Sequence, residues 1–484
     1  MNKATSNSAI LSIVLDRKLH DPLHMQLTAQ IRRLILAGRL NPGQRIPSSR
    51  SLAEELSVSR VTITTAFDQL MSEGYIESRR GSGVYVAHDL PDYLTQVHPL
   101  PEPGQSSKLE TGTDLADRKI RPFEVSIPVL KKFPYTDWTR LFDRVWRAPE
   151  PDLLVKPDPF GSDSLRQAIS HHLYEWRGID CGPEQIVMTS GIVEAVEIIA
   201  RVILQTGDII LMEEPGYDVL RRAFRMNKLD CQPVQVDDQG FDIEHARQLF
   251  PYAKAVAVTP SRHYPLGMTL PLTRRLNLLD WANTTNGIVI EDDFDSEYRY
   301  QGQPLPALMS LDDRECVVYM GSFSKVIFPA LRLSFFVLPQ RFVMPMRTTL
   351  AGTGTRASLM LQPVLAEFIE NGMLAAHIRR MRRLYAHRQN ILANAIREYL
   401  SDFLETETAP AGMHLVTRFK PALLNRCSET EIIDRARSNG LTLRPLSGYF
   451  TSPNPPKGLV LGFAAFDEAE ITQGIKILAS IINS

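Results

Sequence analysis

The chain has 484 residues, too many for one compact domain at the roughly 150 residues a folding unit takes. Hydrophobic residues make up 44% and charged residues 23%, and no run approaches the ~18 apolar residues of a membrane span, which excludes wholesale disorder and a bilayer-spanning helix. The net charge of −1 hides an asymmetry: residues 1–88 hold 11 Lys and Arg against 7 Asp and Glu, and the remainder 43 against 48. A basic head on an acidic body suits a nucleic-acid-binding module joined to something else.

Near the N-terminus, Ala9-Ile10-Leu11-Ser12-Ile13-Val14-Leu15 has neither a basic flank of substance nor a small-residue cleavage site, so no secretory signal is read. Cys181, Cys231, Cys316 and Cys427 lie far apart with no C-x-x-C spacing. Neither a metal site nor a disulfide framework is expected, and the expected location is the cytoplasm.

Within the head, Met25–Leu36 carries Leu27, Ile31, Leu34 and Ile35 on one helical face before Gly38 and Asn41-Pro42-Gly43 break the pattern. Pro47-Ser48 starts a second helix with Leu52, Ala53 and Leu56 inward, and Ser57-Val58 turns the chain into a third. There Ile63, Ala66, Phe67, Leu70 and Met71 form a complete core stripe. Tyr75–Ser78 and Val84–Val86 are β-prone runs around a Gly81-Ser82-Gly83 turn. The outline is a winged helix-turn-helix over residues 1–87. Ser59, Arg60, Thr62 and Thr65 occupy the start and outer face of the third helix, where a recognition helix reads base edges. Arg50 before it, and Arg80 with Gly81 at the wing, are placed for phosphates, which position but do not specify. The partner expected is operator DNA.

Residues 88–118 are rich in Pro with no sustained periodicity and read as a linker, long enough for the head to reach a partner subunit. From 119 to 484 short apolar runs alternate with helical patterns: Gln185–Thr189, Asp208–Glu213, Ala255–Thr259, Gly287–Asp292 and Cys316–Gly321. That is the pattern of an α/β unit with a mostly parallel sheet, followed by a smaller α+β subdomain from about 375.

Ser322-Phe323-Ser324-Lys325 stands at the carboxyl end of an apolar strand, where such sheets bind ligands. A lysine there with hydroxyl and apolar neighbours is set for a depressed pKa and Schiff-base formation. The apolar residues around Lys325 and Arg332 predict burial of both cations, which would then need anionic partners. Asp292, at another strand end, can pair with a pyridine nitrogen, and Thr189-Ser190-Gly191-Ile192 forms a strand, turn and helix start suited to a phosphate.

Pro47–Ala53, Val58–Thr62, Gly74-Tyr75-Ile76 and Arg80–Gly83 together closely resemble the DNA-binding head of GntR-type regulators. The body elements, with Glu214-Pro215-Gly216-Tyr217 and Pro265-Leu266-Gly267, resemble fold-type I aminotransferases, and the fusion is similar to MocR-type regulators. The resemblance implies pyridoxal 5′-phosphate (PLP) on Lys325, Asp292 on its ring nitrogen and Tyr217 stacked on the ring. It places Gly191, Ile192, Ser322, Ser324 and Arg332 around the phosphate. Two departures stand out: Val460 occupies the slot of the usual carboxylate-binding Arg, for which Arg444 is the candidate replacement, and Phe294 stands where the pattern offers a phenol to the cofactor. Tyr264 is expected to supply that hydroxyl to O3′. The reading is a homodimeric, PLP-dependent transcription regulator in which an amine, an amino acid or PLP itself is sensed by exchange at Lys325. The alternative is a working aminotransferase with an appended head. A cofactor-free body is disfavoured because Lys325, Asp292 and Arg332 are all retained.

Overall fold

In a computed structural model of the protein, the described residues are 10, 13–17, 21–79, 82–88, 119–149, 151–155, 157–302 and 306–483. Arg80 and Gly81, and the linker apart from its first residue, lie outside them. The chain divides into two compact units, Met1–Asp117 and Arg118–Ser484.

In the first unit, helices α1 (Leu23–Leu36), α2 (Ser49–Glu55) and α3 (Arg60–Ser72) pack around Leu27, Ile31, Leu52, Ile63, Ala66, Phe67 and Leu70, the stripes read from the sequence. Ser48 caps α2 by accepting from the Ser51 amide at 3.2 Å, and Ser59 caps α3 by accepting from Thr62 at 3.1 Å. Strands β2 (Ile76–Arg79) and β3 (Gly83–Val86) form the wing. A two-residue strand the sequence pattern did not show, β1 (Arg45–Ile46), pairs with β3 to give the order β1-β3-β2.

The second unit is built on a seven-stranded sheet of β4 (Ile186–Thr189), β5 (Ile209–Glu214), β6 (Asp230–Gln235), β7 (Ala255–Val258), β8 (Ile288–Asp293), β9 (Val317–Ser322) and β10 (Ser334–Val337). Their order is β4-β10-β9-β8-β7-β5-β6, and only β10 runs antiparallel to its neighbours. Strands β5, β7, β8 and β9 therefore end on one edge, and the register of Thr189 with Ser334 and of Ser334 with Ser322 brings the end of β4 there too. Helices cover both faces, among them α4 (Asp163–Arg177), α5 (Ile192–Ile203) and α6 (Asp218–Met226). A second sheet, β11 (Leu404–Thr406), β12 (His414–Phe419), β13 (Arg444–Pro445) and β14 (Gly458–Gly462), packs with the long helix α7 (Met373–Tyr399) in its own core. Among the described residues no helix is long and apolar enough to cross a membrane.

Candidate functional site

The shared strand edge gathers an unusual density of charge. Lys325 follows β9 and is half-buried, with its Nζ 4.1 Å from the ring centroid of Phe294, 5.8 Å from Tyr217 and 6.0 Å from Tyr264. Burial depresses the Lys325 pKa, while the nearby carboxylates of Asp292 and Asp295 oppose that shift. Asp292 is 5% exposed and pushed up to about 6, chiefly by burial and against the pull of Lys325. No described residue donates a hydrogen bond to it.

Its neighbours are held by ion pairs and hydrogen bonds. Asp293 lies 2.9 Å from Arg177 Nε, and accepts from Tyr319 Oη at 2.7 Å and Ser296 Oγ at 2.8 Å. Asp295 pairs with Arg262 Nη1 at 3.1 Å. Glu213, at the end of β5, accepts from the amide and hydroxyl of Thr259 at 3.0 and 2.6 Å and is pushed up to about 8 by burial. The ends of β5 and β8 thus present a cluster of buried carboxyl groups, among which Asp292 faces the lysine with no hydrogen-bond donor from the described residues.

At the end of β4, Gly191 has φ 147° and begins α5, with Ile192 as the first helical residue. A Cβ at Gly191 would meet nothing within 4 Å, so the helix start is open. Ser322 accepts from Ser334 Oγ at 2.9 Å and from the Ser324 amide at 3.3 Å, which fixes the turn before Lys325. The burial expected of Arg332 is corrected by the structure. Arg332 is exposed and has no side-chain partner among the described residues. It caps the short turn Pro329–Leu331 with φ 47°, between the buried Leu331 and Leu333.

Tyr264 packs edge-on against Tyr217, Phe294, His414 and Tyr449, with centroids 5.0–5.4 Å apart. Its hydroxyl lies 3.0 Å from that of Tyr449. Tyr217, Tyr264 and Tyr449, with Arg222 and Arg444, line a cavity of about 400 Å³. Arg444 is exposed and sits directly opposite Val460 in the β13–β14 register. A guanidinium is therefore offered one strand over from the position that lacks it.

Sequence reasoning missed Tyr449 and what holds it. Buried Glu214 accepts from the Thr451 amide, from Thr451 Oγ1 at 3.0 Å and from the Ser452 amide at 3.0 Å, and pairs with Arg221 at 3.0 Å. The Gly216 amide donates to Tyr449 O at 3.0 Å. Glu214 shares the Glu-Pro-Gly-Tyr motif with Tyr217, but its Thr451 and Ser452 partners lie more than 230 residues away.

In the head, Arg60 and Thr65 are exposed on α3, and Arg60 Nε lies 3.4 Å from Ser49 Oγ. Thr62 is half-buried, with its hydroxyl 2.8 Å from Ser59 Oγ, so Ser59 is engaged as a cap. Arg50 is exposed and loosely paired with Glu54 at 3.6 Å.

The body residues fit a pyridine cofactor bearing an aldehyde and a phosphate. A buried carboxyl without a donor awaits a protonated ring nitrogen, a lysine with a lowered pKa stands over aromatic rings, and an open helix start lies on the same sheet edge as Ser322 and the turn bearing Ser324.

Two family models match the chain: bacterial regulatory proteins of the gntR family over residues 23–86, and aminotransferase class I and II over residues 131–478. The probable rhizopine catabolism regulatory protein MocR of Rhizobium meliloti is 38% identical over 476 residues, 97% of this chain and 95% of that protein. The pyridoxine biosynthesis transcriptional regulator PdxR of Corynebacterium glutamicum is 34% identical, over 95% of this chain and 97% of that protein. Among solved structures, Pyrococcus horikoshii kynurenine aminotransferase, in complex with PMP, superposes with a TM-score of 0.67 at 26% identity, over 75% of this chain and 90% of that one.

Proposed function

Because the chain belongs to the aminotransferase class I and II family and carries a gntR-family head, the architecture of MocR-type regulators, we propose that it is a PLP-dependent transcription regulator that senses an amine or amino acid at Lys325. The observation that carries the reading is the buried, donor-free Asp292 set against Lys325 at one sheet edge. When bound, the cofactor supplies an electrophilic carbon for amines and a ring that withdraws electrons.

The residues around it divide the work. Asp292 holds a proton at the ring nitrogen, and Lys325 anchors the cofactor with an amine that burial keeps nucleophilic. Tyr217 packs on the ring. The Gly191–Ile192 helix start and Ser322, Ser324 and Arg332 take the phosphate. Arg332 gains there the anionic partner it otherwise lacks. Tyr264 offers its hydroxyl toward O3′, a bond Phe294 cannot make, with Tyr449 as its second partner. Arg444 draws a carboxylate into the tyrosine-walled cavity, so an effector bearing both amine and carboxylate is favoured.

In the head, Arg60, Thr62 and Thr65 face the major groove, with Ser59 capping their helix, and Arg50, Arg80 and Gly81 approach phosphates. The protein works as a cytoplasmic homodimer in which the linker of residues 88–118 lets a head cross to the partner body. Effector binding shifts operator affinity only if it interacts differently with two arrangements of the molecule. The reading as a working aminotransferase is disfavoured by Val460 in the carboxylate slot and by the regulator names of near full-length relatives. The test is a thermal-shift and absorbance screen of amines and amino acids against the PLP-loaded protein. A ligand that both stabilises the protein and alters the cofactor spectrum identifies the effector class.

A further inference from the structure

The turn that follows β7 lines two different cavities. Tyr264 belongs to the tyrosine-walled one, whereas Arg262, Pro265, Leu266 and Met268 line a second of about 330 Å³ that shares no lining residue with the first. That volume lies in the usual range of small-molecule sites, about 300–1,000 Å³. Its opposite wall comes from the small sheet, including His414, Arg418 and Glu405, with Glu407 just beyond β11. Glu405 and Arg418 stand directly across β11 and β12 from one another. The charge of Arg262 is already spent on Asp295, which leaves Arg418 against two carboxylates, above apolar Leu266 and Met268.

We propose that this cavity is a second small-molecule site, which takes a zwitterionic amino acid non-covalently and is read by the cofactor site. Two carboxylates on one small wall disfavour a bare anion, and the arginine between them favours a ligand that carries both charges over a bare cation. An ammonium meets Glu405 and Glu407, a carboxylate meets Arg418, and an apolar side chain lies on Leu266 and Met268. Two groups connect the cavities. The His414 ring contacts Tyr264 edge-on at 5.3 Å while His414 Nε2 lies 2.9 Å from Pro265 O. Arg262 donates to His414 O at 3.3 Å and pairs with Asp295, whose charge acts on Lys325. A ligand that moves either group alters the field at Lys325, and linkage makes that effect reciprocal. This coupling rests on the assignment of Lys325 as the cofactor lysine; the binding itself does not.

The experiment titrates the PLP-loaded full chain with N,N-dimethylglycine and N,N-dimethylleucine, which carry both charges but lack the primary amine needed to displace Lys325. Calorimetry reads binding, and the visible cofactor band reads coupling. Expected are saturable binding, tighter for the leucine derivative, and a shift of the band that saturates at the same concentration. Affinity should fall at least tenfold in Arg418→Gln and in Glu405→Gln, both exposed positions, and stay within twofold in Arg444→Gln. Binding should also persist in Lys325→Ala, which separates this site from the cofactor assignment. Absence of saturable binding overturns the proposal, as does loss in Arg444→Gln with Arg418→Gln unaffected, since the ligand then occupies the tyrosine-walled cavity. Binding that leaves the band unmoved overturns the coupling.

Discussion

Head and body both rely on arginines, but in opposite solvents. Arg50 and Arg60 project from exposed helix faces with at most one weak contact each, at 3.6 and 3.4 Å. Arg177, Arg221 and Arg262 are at most 7% exposed, and each is paired with a carboxylate at 2.9–3.1 Å. The difference separates two tasks. An exposed guanidinium costs little to keep free and is attracted to a polyanion from a distance, in a salt-dependent way. A buried one must be paired, and its pairing fixes the shape and charge of whatever stands beside it. The head is built to receive charge, and the body to hold it still around Lys325.

The sharpest break of that contrast is Lys325→Ala. The variant should lose the covalent cofactor band entirely, with nothing retained after borohydride reduction, while operator binding by the head survives. Retention of a reducible covalent band would show that another residue anchors the cofactor. Next in size is Arg177→Met, which leaves Asp293 buried against Tyr319 and Ser296 without its cation. Urea denaturation should show a loss of about 3–5 kcal/mol. A loss below about 1 kcal/mol would mean that the buried network does not act as a scaffold.

A pH effect of a few kcal/mol is expected from Glu213. With burial raising it to about 8, it keeps in the fold a proton that the unfolded chain releases near 4.5. Its stabilising contribution is therefore complete below about 4.5 and declines as pH rises to about 8. Glu213→Gln keeps an acceptor for Thr259 and should flatten stability against pH across that window; an unchanged slope would show the group ionised throughout. In the head, Arg60→Ala should cost about 1–3 kcal/mol on operator DNA and relax sequence preference, as for a base-edge contact. Equal loss on random DNA would move Arg60 to the phosphates. Arg50→Gln is the smallest change, expected to weaken all sequences alike and lower the salt slope by about one unit.

The same contrast governs what the sequence made legible. Periodicity marked α1 to α3 because each buries one stripe against the others, and their exposed faces followed by elimination. In the body, apolar runs marked five of the seven strands. β6 was missed because Pro233 and only two buried residues, Cys231 and Val234, make it a polar edge strand, and β10 because four residues after the Lys325 turn carry no period. Lys325, Asp292 and Tyr217 were legible because each sits in a short local motif. The exposure of Arg332 was not, since apolar neighbours predict burial of a segment but not the left-handed φ of one residue within it. Tyr449, Glu214 and the Arg262–His414 contact join segments 150 or more residues apart, and no local pattern encodes such meetings.

One connection is central to regulation, from amine exchange at Lys325 to DNA affinity at the head. Fluorescence anisotropy on operator DNA, recorded together with the cofactor absorbance of the PLP-loaded full chain during titration with an amino acid that alters the spectrum, tests it directly. Operator affinity is predicted to change with the same midpoint as the spectrum in the wild type, and the change is predicted to vanish in Lys325→Ala. A spectral change that leaves operator affinity constant, or an affinity change that persists in Lys325→Ala, would contradict that connection.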